Sequence, residues 1–230
     1  MESSAILQNK KIDRIKLPLV TARFFYQEIN SAMKLETIKE ALKPAVSKIV
    51  GTRMPITFCS EKEQLVACVL DDFLEARYAS GNPLSQDITP VTSAIVRIYE
   101  CLLSYSQLFT LAGRASLRYS AMIAELSEKD VNEAVNKPFA DCIRNCPAFA
   151  GIGQKIPDLN AARMRMYFNF GERTRELDIG THPNALDRVY VELGVTVTKS
   201  LDANELSELM NQEAEYLREI ATPLNDKLLG

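Results

Sequence analysis

The sequence predicts an all-α fold, a multi-helix globular bundle in two helical lobes, and three observations carry that expectation. Apolar residues recur at helical spacing along most of the 230-residue chain, as in Phe25, Ile29 and Ala32 or Ile38, Leu42, Val46 and Ile49. Helix-start chemistry precedes several of these runs: Ser60 with Glu63 and Asp202 with Glu205 are capping boxes, and Thr89-Pro90 is an N-cap and first-turn pair. Turn-forming clusters such as Ser80-Gly81-Asn82-Pro83 separate the runs.

In chain order, residues 1–19 read as a basic N-terminal arm around Lys10, Lys11 and Arg14, closed by Pro18. Helices follow over 20–33 and 35–50, the second kinked at Pro44. A helix over 61–79 carries the stripe Leu65, Val66, Val69, Leu70 and Phe73. The helix opened by Thr89-Pro90 is apolar almost all round and is expected to be the most buried. Gly113 breaks it before a further helical stretch to Leu126, and Ser127 to Asp130 restarts a short helix ending near Pro138.

Residues 147–157 read as a loop between a helical core lobe, 20–146, and a C-terminal helical lobe, 158–230, in which Asp158 caps a helix to Phe170. From Leu177 to Lys199 the pattern is ambiguous. Val189, Val191, Leu193, Val195 and Val197 alternate with period two, so a helix over 184–193 followed by extended chain competes with one small β-hairpin near 188–198. The last helix, opened by Asp202, presents Leu206, Leu209, Met210, Leu217 and Ile220 as a stripe that is either core or interface, and Pro223 ends it. No repeat of solenoid period is visible.

Composition narrows the function. A hydrophobic fraction of 47% and a charged fraction of 25% belong to an ordinary soluble domain. The N-terminus lacks a signal-peptide pattern, and no apolar run reaches the roughly 18 residues of a membrane span, so no membrane partner is expected. Five cysteines, an odd number spread through apolar runs, read as reduced core thiols in a cytoplasmic protein. The single histidine, His182, sits in the turn-like Gly180-Thr181-His182-Pro183, which removes most zinc, di-iron and Ser/His or Cys/His chemistry. No P-loop or strand-borne Gly-x-Gly-x-x-Gly is present. No cofactor is expected, and the reading leans away from an enzyme.

Two clusters of charged side chains remain. On a helix, Asp71, Asp72 and Glu75 in Leu70-Asp71-Asp72-Phe73-Leu74-Glu75 would place Asp71 and Glu75 on one face, able to hold magnesium. The hexapeptide resembles the aspartate-rich metal motif of helical prenyl-diphosphate and terpene synthases, and the resemblance implies a magnesium-dependent helical enzyme. It covers six residues, no second acidic motif completes it, and a solvated helix face is the favoured reading. The basic candidates are Arg114 and Arg118, four apart beside Tyr119, then Arg144, and Arg163, Arg165, Arg173 and Arg175 around Tyr167, Phe168 and Phe170. Arginine interleaved with aromatics is the composition that grips a phosphate backbone and stacks bases. As a helix, 163–175 would scatter its arginines around the axis and pair them with Glu172, Glu176 and Asp178.

The favoured function is therefore a non-enzymatic, self-associating assembly protein, a homo-oligomer; a narrower version of this reading adds binding of single-stranded RNA or DNA through an arginine-lined groove, in the manner of nucleoprotein and coat subunits. The alternatives are a regulatory protein-interaction module docking through its final helix, and the magnesium enzyme of Asp71, Asp72 and Glu75.

Overall fold

Period-two alternation governs far more of the chain than the run near Val189. In the computed structural model, which describes residues 15–29, 35–50, 55–60, 64–106, 109–123, 126–149, 163–182 and 185–228, nine strands form one antiparallel sheet. In chain order the elements are β1 (Ile15–Ile29), α1 (Leu35–Leu42), β2 (Lys48–Ile49), β3 (Ile56–Ser60), β4 (Leu65–Val69), β5 (Phe73–Ala79) and α2 (Thr89–Ser104). They continue with β6 (Phe109–Ile123), α3 (Glu128–Val131), a π turn (Asn132–Asn136), α4 (Lys137–Asn145), β7 (Arg163–Phe170), β8 (Arg173–His182), β9 (Ala185–Val197) and α5 (Ala203–Leu228). The sheet order is β2-β3-β4-β5-β1-β6-β9-β8-β7.

The all-α expectation is overturned, and with it the two helical lobes: among the described residues strand accounts for 44% against 39% helix. The expected helices over 20–33, 61–79, 113–126 and 158–170 are replaced by β1, the β4–β5 hairpin, β6 and β7. At 177–199 neither reading holds: the expected helix over 184–193 is strand, and the stretch near 188–198 expected to form a small hairpin belongs to the single strand β9, which pairs with β8, Leu177 opposite Leu193 and Ile179 opposite Val191.

One physical reason runs through these corrections. A spacing of four residues is shared by a helix turn and by two strand pleats, so Val20 and Phe24, or Leu65 and Val69, satisfy both periods. The deciding positions in between are alanines: Ala22, Ala67, Ala76, Ala115 and Ala121 are all buried strand residues. Alanine is depleted in strands in general. Here its small side chain sits on the sheet face on which α2 and α5 pack.

Some local chemistry is as expected. Asp202 and Glu205 form a reciprocal capping box, each side chain accepting from the other's backbone N–H at 2.8 and 2.9 Å. A helix does start at Thr89-Pro90, but its cap position is Ile88, with no side-chain cap, so Thr89 is the first residue of α2 and not its N-cap; the Asp87 carboxylate accepts from both the Thr89 N–H and its hydroxyl. Ser127 caps α3, but the helical run it opens continues past Pro138 to Asn145, and the helix expected over 35–50 ends at Leu42, two residues before Pro44, with strand β2 at Lys48–Ile49. Pro223, in contrast, lies inside α5 and does not end it. Ser60 closes β3 and caps no described helix; Glu63 lies outside the described residues.

Outward from the central pair β1·β6, the sheet reads β5, β4, β3 on one side and β9, β8, β7 on the other. Each half runs long strand, helical segment, three-stranded meander, helix, so the chain is built as the same topology twice, without a matching sequence repeat. The helices α2 and α5 pack on one face, where Phe24, Leu74, Leu117, Tyr119, Leu193 and Val195 meet Ile95, Ile98, Leu102, Leu209 and Met210. Tyr119 donates from its hydroxyl to the Met210 carbonyl at 2.9 Å, which locks α5 to the sheet, and Tyr99 on α2 donates to the Leu201 carbonyl at 2.7 Å in the segment leading into α5. The apolar stripe of α5 is thus core, not a free docking surface.

Where β1 and β6 fall out of register between Phe24 and Tyr26, Gly113 adopts φ +61° and its α-carbon faces Ser200, whose Oγ would stand 3.3 Å from an added Cβ. Gly113→Ala is expected to destabilise the protein by about 1–2 kcal/mol, the cost of a left-handed backbone for an L-residue, read as a lower urea midpoint at unchanged slope.

Candidate functional site

Strand alternation sends every second side chain of the sheet away from the helices, onto a face that no described element covers. Following the register across the strands, one row of this open face runs Val66, Arg77, Thr21, Arg118, Gly194, Glu176, Tyr167, and the next runs Cys68, Glu75, Arg23, Ser116, Thr196, Thr174, Asn169. Beyond Arg118 lies the row Ser120, Glu192, Asp178, Arg165, and beyond that Met122, Tyr190, Gly180, Arg163. Six arginines, at 23, 77, 114, 118, 163 and 165, and four carboxylates, Glu75, Asp178, Glu176 and Glu192, therefore share one face. Basic charge is in excess there, although the whole chain carries −3.

The carboxylates fix the arginines in two ladders. At the β7 end, Asp178, whose side chain is 3% exposed, accepts from Arg163 Nε at 2.6 Å and from Arg165 at 2.8 and 3.0 Å. Arg163 reaches on to Glu192 at 2.7 Å, and Arg165 to Glu176 at 3.2 Å. Burial alone would raise the Asp178 carboxyl, but the hydrogen bonds and charge of Arg163 and Arg165 outweigh it and hold it below the usual carboxylate range. The same bonds hold both guanidinium groups above their ordinary value.

A depressed carboxylate contributes stability that is complete above its unfolded value, about 3.9, and is lost as pH falls through the lower folded value. Wild-type protein is accordingly expected to lose more stability than Asp178→Asn as pH is lowered from about 4, in urea titrations.

At the centre, Glu75 is nearly buried and shared by Arg23, at 2.5 Å, and Arg77. Arg23 lies over the Phe73 ring and Arg114 over the Phe25 ring at 5.4 and 4.7 Å. Arg118 crosses β9 above Gly194, which has no side chain to block it, to reach Glu176 at 3.4 Å and Glu192 at 3.8 Å. These two long contacts are its looser ties, since Glu176 and Glu192 have closer partners in Arg165 and Arg163. Arg23, Arg77 and Arg118, with Thr21, Ser116, Leu19 and Glu75, line a concavity of about 230 Å³ across the junction of the two half-sheets. Three guanidinium groups around one carboxylate and two hydroxyls form a cationic seat for a phosphate or carboxylate.

The arginines expected from sequence divide sharply. Arg114, Arg118, Arg163 and Arg165 come together on the open face. Arg173 and Arg175 point to the helix face, where Arg175 is bidentate to the fully buried Glu213 at 2.8 and 2.9 Å and lies over Tyr216 at 4.2 Å. Arg173 stands 3.9 Å from the same carboxylate. Arg144 is on α4 with Asp141, away from the sheet face. Arg23 and Arg77 were missed, because residues 20–33 and 61–79 read as helices. Their signal was alternation with buried Ala22 and Phe24, and with Ala76.

The acidic trio is taken apart. Asp71 and Asp72 form the exposed turn of the β4–β5 hairpin, closed by the Leu70 N–H donating to the Phe73 carbonyl at 2.9 Å, while Glu75 is the arginine-bound carboxylate. Among the described residues no group of three metal-ligating side chains is assembled. Lys10, Lys11 and Arg14 lie outside the described residues, as do 150–157 of the expected loop. His182 ends β8. All five cysteines are free, and among the described residues no helix is long and apolar enough to cross a membrane. The sequence matches no protein-family model and no curated protein.

Proposed function

We propose that this protein is a non-enzymatic binding and assembly module whose open sheet face holds single-stranded nucleic acid. The observation that carries the reading is the concentration of six arginines, in a net-negative chain, on one face that no described element covers. They extend from β5 to β7, about 24 Å at the usual strand spacing, so they form a track suited to a polyanion more than a seat for one small ion. Tyr167, 62% exposed, stands on the same face among them and supplies planar surface for bases, which stack on aromatics with little regard to sequence.

The acidic partners are compatible with this. Exposed ion pairs contribute only about 0–1 kcal/mol, so a phosphate can take over an arginine whose second carboxylate tie is long, and Arg118 is the best placed for that exchange. The five free thiols support a reducing, cytoplasmic setting.

The test is fluorescence anisotropy of a labelled uridine homopolymer at low and moderate salt. Saturable binding that weakens steeply with salt supports the proposal. Binding that is absent at low salt, or that persists unchanged in Arg23→Ala with Arg118→Ala, contradicts it.

A further inference from the structure

Among the described residues no strand pairs with the outer edge of β7, the end strand of the sheet. The strand is eight residues long, keeps an unbroken register with β8, and contains no proline, glycine, lysine or bulge, the devices with which proteins blunt sheet edges. Its arginines do not guard it either: Arg163 and Arg165 lean inward over the sheet to Asp178, Glu176 and Glu192. Several of its exposed side chains are apolar. Met164, Tyr167 and Phe170 are 40%, 62% and 54% exposed, three of the most exposed large hydrophobics among the described residues. The opposite end of the sheet differs, being capped by the two-residue β2.

We propose that β7 is a self-association strand, pairing antiparallel with β7 of a second copy about a two-fold axis through Tyr167. The strand is complementary to itself in that register. On the helix side Met164 falls opposite Phe170 and Met166 opposite Phe168, giving sulfur–aromatic contacts that cover both of the exposed apolar residues there. On the open side Tyr167 meets its own copy and Arg165 meets Asn169, so no like charges oppose each other. A two-fold axis centred on Met166 would leave Phe170 without a strand partner, and a parallel arrangement would stack Arg163 and Arg165 on themselves. Because the axis stands perpendicular to the sheet, the two nine-stranded sheets join into one, and their arginine faces become continuous.

This inference is independent of nucleic-acid binding and is tested without it. Sedimentation velocity of the full chain over a range of concentrations is expected to show a reversible dimer, and Tyr167→Lys, at an exposed position, is expected to give a folded monomer. Phe170→Lys serves as the second disrupting variant, with circular dichroism reporting that each is folded. Tyr167→Cys on the axis is expected to form a disulfide dimer under mild oxidation, since directly opposed strand residues lie within disulfide reach, beyond whatever the five native cysteines give in the wild type. A wild type that stays monomeric at all concentrations overturns the proposal. So does a dimer that survives both lysine variants, or a Tyr167→Cys protein that cross-links no more than wild type.

Discussion

Arg175→Ala is expected to lower the unfolding free energy by about 3–5 kcal/mol, the largest single-residue effect in the molecule. Glu213 on α5 is fully buried, and the bidentate fork from Arg175 on β8 is its principal compensation. Removing the fork strands a carboxylate inside the helix–sheet interface with, among the described residues, only the cation of Arg173 in reach, at 3.9 Å. Arg175 also carries packing, its guanidinium lying over the Tyr216 and Phe170 rings at 4.2 and 5.1 Å. Lysine should not rescue it, having neither the fork nor the flat face. Substituting both partners at once, Arg175→Met with Glu213→Leu, should recover much of the loss, because the cost lies in the unpaired charge and not in a lost attraction. Chemical denaturation of the three variants measures this. A single-variant loss below about 1 kcal/mol would show that the pair is not the anchor of α5 on the sheet.

The second large effect concerns the open face. Arg23→Ala with Arg118→Ala is expected to weaken uridine-homopolymer binding by at least roughly tenfold, since a hydrogen bond to a charged group contributes about 1.5–3 kcal/mol. The pair is chosen so that the fold is spared: Glu75 keeps Arg77, Glu176 keeps Arg165 and Glu192 keeps Arg163. Arg144→Ala, on α4 and away from the face, should leave binding unchanged.

What could be read in the sequence was local. The capping box at Asp202 and Glu205, the helix start beside Thr89-Pro90 and the restart at Ser127 depend on neighbours within a few residues, and each is present, although Thr89 is the first helical residue and not the cap. The sheet was not legible because its buried positions mix alanine with larger residues at spacings that fit a helix equally well. Ala67 and Ala76 under the helices, and the Asp71-Asp72 turn between them, look like the middle of a helix until the partner strand is known. The same misreading hid the site. Arginines two apart diverge on a helix, so 163, 165, 173 and 175 seemed scattered. On a hairpin they sort cleanly into Arg163 and Arg165 on one face and Arg173 and Arg175 on the other. Arg114 and Arg118 were placed on one face for the wrong reason, four residues being two strand pleats as well as one helix turn.

The arginine face is tested most directly by the salt dependence of homopolymer binding in wild type and in Arg23→Ala with Arg118→Ala. The account predicts a linear fall of log affinity with log salt, and a slope shallower by about 1.4 in the double variant, about 0.7 for each phosphate contact removed. Equal slopes in the two proteins, or no salt-dependent binding by the wild type, would contradict it.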